Sequence, residues 1–491
     1  MRIDDNKYNE LEEELWPEIR HKKHSFKRLF KPVMVGMGVV LVFGCGMLAN
    51  QLMQQPLNPS VKKIVTVLDM MERYWYYSDE IENLDETLVD NALTGMTYSD
   101  IDLHTNYIPY SFADSFQSSV DATSVGIGVS YYTGDEFIVT RVYKNSPADL
   151  GGIKENDIIV AVDGVTVDAK NKELNLSDIV KGEQGSEVII TVNRNGELID
   201  CTCVRGVFSA SAYGKLVDDT TGYLAISDFG LTTAQDSRLY LDEMVNAGVN
   251  QLIIDLRQDS GGYITTLQEM ASLFIPDNEL VIYTMNKAGD RRDIYTTGDN
   301  YTQFEKYIIL VDQNSASAAE GFTLTMKENL DNVIVLGATT YGKGSMQDSF
   351  SLGDGSLLKL TTGKWFSPNG VNVDGVGITP DIVAQPHPIF TMAIYEFDET
   401  SGHQVDTVSQ QNGAVQAMLD YLGYSIARMD GYYDTSTNDA LALYCDEKGF
   451  EYTNSYTKEI FDALFDDVLY QRNFNLDKDS VYQKAVEMIH E

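Results

Sequence analysis

Apolar and polar positions follow different periods in successive parts of the chain. After an uncharged, mostly apolar run come a stretch with helical spacing, short alternating strands, strands that alternate with helical runs, and two amphipathic helices. Strands that alternate with helices are typical of an α/β core whose sheet is covered by helices. The pattern therefore predicts a multidomain α+β protein. The predicted segments are an N-terminal tail (1–31), a transmembrane helix (32–53), a helical region (57–118), a β-rich module (119–206), an α/β core (207–385), a linker (386–410) and a helical C-terminal domain (411–491).

The uncharged run from Val33 to Met53 is about long enough to cross the ~30 Å hydrocarbon core of a bilayer. Six basic residues between Arg20 and Lys31 precede it, which favours a cytoplasmic N-terminus and export of everything that follows. A cleaved signal peptide and a buried core helix are the alternatives. The long charged leader disfavours the first, and the absence of a polar face disfavours the second. We expect a single-pass protein of the cell membrane whose bulk is extracytoplasmic.

The charge balance and the cysteine content exclude several classes of protein. The chain has 74 acidic and 36 basic residues, a formal charge of -38, and so acidic a surface repels nucleic acid. Four cysteines do not predict a disulfide framework. Neither Cys201 nor Cys203 has further Cys or His residues at zinc-ligand spacing. We expect no metal and no cofactor.

A candidate nucleophile lies in the segment Leu310–Glu320, where small residues directly follow an apolar strand and open a helix. A serine at such a turn, here Ser315 or Ser317, can expose its hydroxyl while nearby backbone amides face a developing oxyanion. A Ser-Ala-rich helix N-cap has the same composition. On this segment alone, the structural interpretation is favoured.

A serine nucleophile needs a base, and His104 is the one histidine of the six in a suitable part of the chain. The other available base is a lysine that burial keeps neutral, since desolvation disfavours the ammonium form. Lys343, between two glycines, fits this role, and Gln347 lies four residues further on and could orient the amine.

The segment Gly337–Lys343 also resembles a phosphate-binding loop. However, Gly344 follows the lysine where a Ser or Thr should hold magnesium, and the next residues are predicted to form strands instead of a helix. A nucleotide-binding role is therefore less favoured. Gly261 and Gly262 end another buried strand and could supply an oxyanion-hole amide or a plain turn.

Together these segments resemble the carboxy-terminal processing peptidases, also called tail-specific proteases, from about residue 60 to residue 385. Besides the serine, lysine and glycine segments, the resemblance is carried by Asp102–Tyr107, Ser146–Ile153, Thr361–Gly370 and Gly375–Asp381. The family's usual Asn-Pro before the glycine pair is replaced here by Asp259 and Ser260.

The resemblance implies a serine endopeptidase with Ser317 as nucleophile, Lys343 as general base and Gln347 as the partner that orients the lysine. It implies an oxyanion hole formed by the amides of Gly261 and Ala318. It also leaves His104 with a structural role.

By the same resemblance, residues 119–206 form a PDZ domain. The amides of Gly126, Ile127 and Gly128 would capture a substrate's terminal carboxylate, and the substrate tail would add as a strand beside Val129, against a helix near residues 176–181. The C-terminal domain, 411–491, resembles a peptidoglycan-binding domain. The expected partners are protein C-termini, cell-wall peptidoglycan and the membrane, and not nucleic acid.

Two other functions remain open from the sequence. A catalytically inactive PDZ and wall-binding scaffold would keep the same domains, although the retained Ser317, Lys343 and Gln347 argue against it. A nucleotide-dependent enzyme would have to use the altered phosphate loop outside the cytoplasm.

Overall fold

The computed structural model describes residues 58–171, 174–298, 300–393 and 397–491. The predicted tail and transmembrane helix lie outside this range. Within it, no helix has the combination of length and apolar content that crossing a membrane requires.

The chain forms two units, residues 1–89 and residues 90–491. In the described part of the first unit, α1 (Pro59–Tyr74) begins with a proline at its first turn, and the Asn58 side chain accepts a hydrogen bond from the Ser60 amide. None of the α1 residues is buried.

The remaining helices and strands follow in chain order. The helices are α2 (Leu84–Thr97), α3 (Tyr110–Asp121), α4 (Pro147–Leu150), α5 (Leu176–Val180), α6 (Thr233–Asn246), α7 (Ile264–Ser272), α8 (Ala318–Asn329), α9 (Gln410–Leu422), α10 (Thr435–Lys448), α11 (Lys458–Phe474) and α12 (Ser480–Ile489), with short 3-10 turns at Ser78–Glu80, Pro388–Phe390 and Leu476–Lys478. The strands are β1 (Asn106–Ile108), β2 (Thr123–Gly126), β3 (Val129–Thr133), β4 (Phe137–Val142), β5 (Ile158–Val162), β6 (Val165–Thr166), β7 (Glu187–Arg194), β8 (Glu197–Val204), β9 (Gly206–Ser209), β10 (Ala212–Leu216), β11 (Thr221–Ile226), β12 (Gln251–Asp255), β13 (Leu280–Asn286), β14 (Arg291–Tyr295), β15 (Lys306–Val311), β16 (Val333–Gly337), β17 (Ser345–Ser351), β18 (Leu357–Phe366) and β19 (Ile382–Val383).

The β-rich module contains an antiparallel sheet of order β3-β4-β5-β7-β8, with β6 on β5. Asn195 and Gly196 join β7 to β8, and both have the positive φ that a two-residue hairpin turn requires. A ribbon of β2 and β9 closes the module. Its apolar core includes Val139, Val188 and Ile190, none of which has exposed surface.

The α/β core is built on a sheet of order β10-β11-β12-β15-β16-β19, parallel except for the β10–β11 pair. Successive residues along its strands pack into different apolar clusters, because the side chains of a strand point alternately to the two faces of the sheet. Leu252 and Ile254 pack with residues of α6, α7 and α8. Ile253 packs instead with residues of α12. The last helix of the predicted C-terminal domain therefore covers one face of the α/β sheet, and the sequence boundary at residue 411 does not anticipate this packing.

A second sheet of order β1-β18-β13-β14, with β17 on the other edge of β18, flanks the core. The end of β18 contains the first residues of the segment Thr361–Gly370, which carries part of the resemblance.

Helices α9, α10 and α11 form a separate cluster around the fully buried Tyr433. Ile389, from the predicted linker, is buried in the same cluster. The cluster also contacts the β-rich module, because the Tyr132 hydroxyl of β3 donates to the Asp466 carbonyl (2.8 Å) and its ring packs edge-on against Tyr470. The C-terminal part of the chain is thus joined to both other domains.

Candidate active site

Ser317 lies on the tight turn between β15 and α8. Its backbone angles, φ 56° and ψ −112°, lie in a region that costs a non-glycine residue about 1–3 kcal/mol. This conformation places the serine at the N-terminus of a helix, where backbone amides are free to face an anion. Ser315 has a different role, since its hydroxyl donates to the Leu256 carbonyl and is fully buried.

Glu320, in the first turn of α8, joins the serine turn to the lysine loop. Its fully buried carboxylate accepts four hydrogen bonds, from the amides of Ser317 (2.9 Å), Lys343 (2.8 Å) and Gly342 (2.8 Å) and from the Thr340 hydroxyl (2.6 Å). One side chain therefore fixes the backbone of both predicted dyad members. The sequence gives no sign of this role, because a lone glutamate in the first turn of a helix is usually exposed and interacts with the helix dipole.

Lys343 is half-buried in the loop before β17, and its carbonyl accepts a hydrogen bond from the buried Trp365 indole (2.9 Å). Burial lowers the pKa of the Lys343 amine, the charge of Lys359 lowers it further, and Glu320 opposes the shift. A lowered pKa is what a lysine needs to act as a base near neutral pH. The effect of Lys359 on Lys343 has no signal in the sequence, because it depends on the pairing of β17 with β18.

Gln347 lies on β17, and its amide donates to the Ser345 hydroxyl (3.0 Å) and the Thr361 hydroxyl (3.2 Å). Thr361 in turn donates to the Asp102 carboxylate (3.0 Å). Gln347 thus connects the lysine loop to the segment that contains His104. Burial lowers the pKa of the His104 imidazole, and the charges of Lys343 and Lys359 lower it further.

The two predicted oxyanion-hole residues lie next to Ser317 and differ in their hydrogen bonding. Gly261 has φ +100°, and a Cβ there would lie 2.7 Å from the Ser317 Cβ, so only glycine fits. Its amide donates to the Asp259 carboxyl oxygen Oδ1 (2.8 Å). The Ala318 amide donates to no acceptor within the described part of the chain. The Ala318 donor is available to a ligand, and the Gly261 donor is engaged.

Ser317, Ala318, Gly261, Lys343 and Gln347 all line one cleft of about 580 Å³. Its other walls come from α3, from the residues after Gly262, from β17 and from β18. In the described ranges, no group of His, Cys, Asp or Glu residues is arranged to hold a metal ion.

The predicted carboxylate-binding loop, Gly126–Val129, connects β2 to β3. A Cβ at Gly128 would lie 2.3 Å from the Ser146 Cβ, and the Ile127 carbonyl accepts a hydrogen bond from the Ala148 amide (2.7 Å). The amides of Ile127 and Gly128 donate to no acceptor among the described residues. Helix α5 lies opposite β3, and the hydroxyls of Tyr131 and Ser177 meet across the groove at 2.8 Å.

Two family models match the chain: peptidase family S41 over residues 220–384 and the PDZ domain over residues 138–194. The chain is 28% identical over 402 residues to a probable CtpA-like serine protease of Staphylococcus haemolyticus, with 81% of this chain and 79% of that protein covered. It is 29% identical to the carboxy-terminal processing protease CtpB of Bacillus subtilis, with coverage of 77% and 80%. It is 28% identical to CtpA of the same organism, with coverage of 82% and 86%.

The chain is therefore a serine-type peptidase, and the prediction of a hydrolase of this class is confirmed. Residues 220–384 of its α/β core match peptidase family S41, residues 138–194 of its β-rich module match the PDZ domain, and the proteins similar to it include carboxy-terminal processing proteases.

Proposed function

We propose that this peptidase cleaves polypeptides with a Ser317–Lys343 dyad after its PDZ domain has captured the substrate's C-terminus. The observation that carries the proposal is the link through Glu320, which ties a serine on a strained turn to a half-buried lysine in the same cleft. A neutral Lys343 amine would take the Ser317 proton as the hydroxyl attacks the scissile carbonyl, and would return a proton to the leaving amine. The Ala318 amide would stabilise the resulting oxyanion.

His104 is the alternative base, and its position does not support that role. It is absent from the lining of the cleft that contains Ser317 and Lys343. A base must be within hydrogen-bond reach of the proton that it removes. We therefore assign His104 a structural role.

The edge strand β17 suggests how the substrate chain is held. Among the described strands β17 pairs with β18 alone, and its residues Ser345–Ser349 line the cleft. An exposed strand edge can bind an extended peptide through main-chain hydrogen bonds, with little dependence on sequence. We expect an unfolded substrate segment to add to this edge and to present its carbonyl to Ser317.

The PDZ loop supplies the second contact. The free amides of Ile127 and Gly128 could bind a terminal carboxylate while the tail extends along β3, opposite α5. Such capture would concentrate the substrate next to the cleft without adding to the chemistry.

The apolar run at residues 33–53 supports attachment to the cell membrane, with the peptidase on the outer side. We also propose that the C-terminal domain binds peptidoglycan, on the basis of the sequence resemblance. Peptidoglycan binding can be tested separately from membrane attachment. The full chain is sedimented with purified peptidoglycan, with and without a detergent that removes membranes.

The dyad and the PDZ role are tested together with the full chain in detergent and an unfolded peptide that has either a free or an amidated C-terminus. We expect cleavage that is faster with the free carboxylate and is abolished by Ser317→Ala. Ser315→Ala is the matched control, because it loses the hydrogen bonds of the Ser315 hydroxyl with the Leu256 carbonyl and the Asp312 amide, about 1 kcal/mol each, but should keep its activity. Cleavage by Ser317→Ala would refute the nucleophile, and equal rates on both peptides would refute carboxylate capture.

A further inference from the structure

Asp259 is a fully buried carboxyl group in the loop between β12 and the active site. Its amide donates to the Leu256 carbonyl (3.2 Å), and its own carbonyl accepts a hydrogen bond from the Ala316 amide (2.8 Å). Ala316 directly precedes Ser317. The backbone of Asp259 therefore fastens the strand-end loop to the serine turn.

The side chain of Asp259 has one partner for its two oxygens. Oδ1 accepts the hydrogen bond from the Gly261 amide, and Oδ2 is buried with no partner in the described structure. A carboxylate needs several donors or a cation to offset the loss of water, and a single amide supplies little of this. Asp228, in the loop after β11, is the charged group that acts on Asp259, and its charge is of the same sign.

Burial raises the pKa of the Asp259 carboxyl well above its usual range, the Gly261 amide opposes the shift, and the charge of Asp228 adds to it. The uncharged acid is the less costly state for this geometry, since it leaves one O–H group without a partner, whereas the ionised acid would bury a charge beside a single donor.

The protonation state of Asp259 determines how strongly it holds the Gly261 amide, which lies against Ser317. Charge-assisted hydrogen bonds are roughly twice as strong as neutral ones. An uncharged Asp259 therefore holds the amide weakly, so that a developing oxyanion can compete for it. An ionised Asp259 would hold the amide firmly and would place a negative charge close to the oxyanion.

We propose that Asp259 is a positioning residue that leaves the Gly261 amide available to the oxyanion while it is uncharged, and that its ionisation as the pH rises switches the peptidase off. The proposal rests on the function proposed above. It assigns Asp259 no contact with the substrate.

The activity test compares the pH–rate profiles of the parent chain, Asp259→Asn and Asp228→Asn. Above the pH at which both Lys343 and Asp259 have lost their protons, the parent rate should fall about tenfold per pH unit, as for loss of one proton. Asp259→Asn keeps an uncharged acceptor for Gly261, so this fall should be absent until the protein unfolds. Asp228→Asn removes a negative neighbour, which should make the fall begin at lower pH. The same alkaline fall in Asp259→Asn, or a fall that moves to higher pH in Asp228→Asn, would overturn the proposal.

A second test does not depend on catalysis and uses the Ser317→Ala background, in which self-cleavage cannot occur. A carboxyl whose pKa is raised in the fold contributes stability that is fully present below the unfolded pKa of about 3.9 and is lost as pH rises through the folded pKa. Urea midpoints should therefore show Asp259→Asn gaining stability relative to its parent as pH rises from about 4. A difference that is independent of pH would mean that Asp259 is ionised in the fold. This result would refute the proposed role of Asp259 ionisation even if the peptidase function stands. Failure of cleavage in the parent and in all variants would instead refute the proposed function and leave the role of Asp259 in stability intact.

Discussion

Replacing Glu320 by glutamine should damage both the fold and the active site. The change keeps the size of the side chain and replaces one acceptor oxygen by an NH₂ group that donates. Each carboxylate oxygen now accepts two hydrogen bonds: Oε1 from Thr340 and Gly342, and Oε2 from Ser317 and Lys343. In whichever orientation the glutamine side chain is placed, two donors will face its NH₂ group.

The magnitude follows from these two donors. A buried donor left without a partner costs about 1–3 kcal/mol, so the variant should lose about 2–6 kcal/mol of unfolding free energy. That is a large share of the 5–15 kcal/mol typical of a domain. If the NH₂ group takes the place of Oε2, the amides of Ser317 and Lys343 lose the acceptor that they share and move apart. A displacement of about 1 Å between reacting groups costs about a hundredfold in rate.

Urea denaturation and the peptide cleavage rate of the same preparation measure the two effects. Glu328→Gln is the matched control, because Glu328 lies in the same helix, is half-buried and accepts hydrogen bonds from the Ser367 hydroxyl and the Asn369 amide. We expect it to lose about 1 kcal/mol and to keep its activity. If Glu320→Gln unfolded at the parent's urea concentration, the four hydrogen bonds would not have the assigned strength. If it lost stability but kept the parent rate, Glu320 would not position the dyad.

Two further predictions concern the lysine and the last helix. Lys343→Arg should be as inactive as Lys343→Ala, because a guanidinium keeps its proton at any pH at which the protein is folded; cleavage assays of both variants, with folding checked by circular dichroism, test this. Deletion of residues 480–491 should leave the α/β core insoluble, because α12 buries five apolar residues on the sheet and each such side chain contributes up to about 1.5–3 kcal/mol; soluble yield and binding of a hydrophobic dye measure the loss, and a soluble, folded product would contradict it.

The strand-to-helix turn at Ser317 could be predicted from the sequence because its signal is local. A strand that ends in small residues and opens a helix has a definite pattern, and the structure has the turn at Ser317 where the pattern predicts it. The strands of the PDZ domain are likewise predicted by their alternation and by the Asn195–Gly196 turn. These elements depend on short-range chemistry.

Contacts between distant segments could not be predicted in the same way. Nothing in the residues around Glu320 indicates that its carboxylate reaches a loop 22 residues away. The helical spacing of α12 predicts an apolar face but not that this face covers the sheet of an earlier domain. The resemblance to the family gives Gln347 as a partner of Lys343, whereas its amide donates to Ser345 and Thr361. In each case the deciding contact is set by the tertiary fold.

The proposed chemistry needs Lys343 and Asp259 to be uncharged at the same time, and this limits the pH range of activity. Burial favours the uncharged form of both, since it lowers the pKa of the lysine and raises that of the aspartate. Activity should therefore rise as Lys343 loses its proton and fall as Asp259 loses its own. If the pKa of Lys343 lies above that of Asp259, only a fraction of the molecules has both groups uncharged at any pH. The maximum of this fraction falls about tenfold for each pH unit that separates the two pKa values. Asp259→Asn removes the second requirement, so the ratio of its rate to the parent rate should increase steadily with pH, whereas a purely structural role for Asp259 predicts a constant ratio.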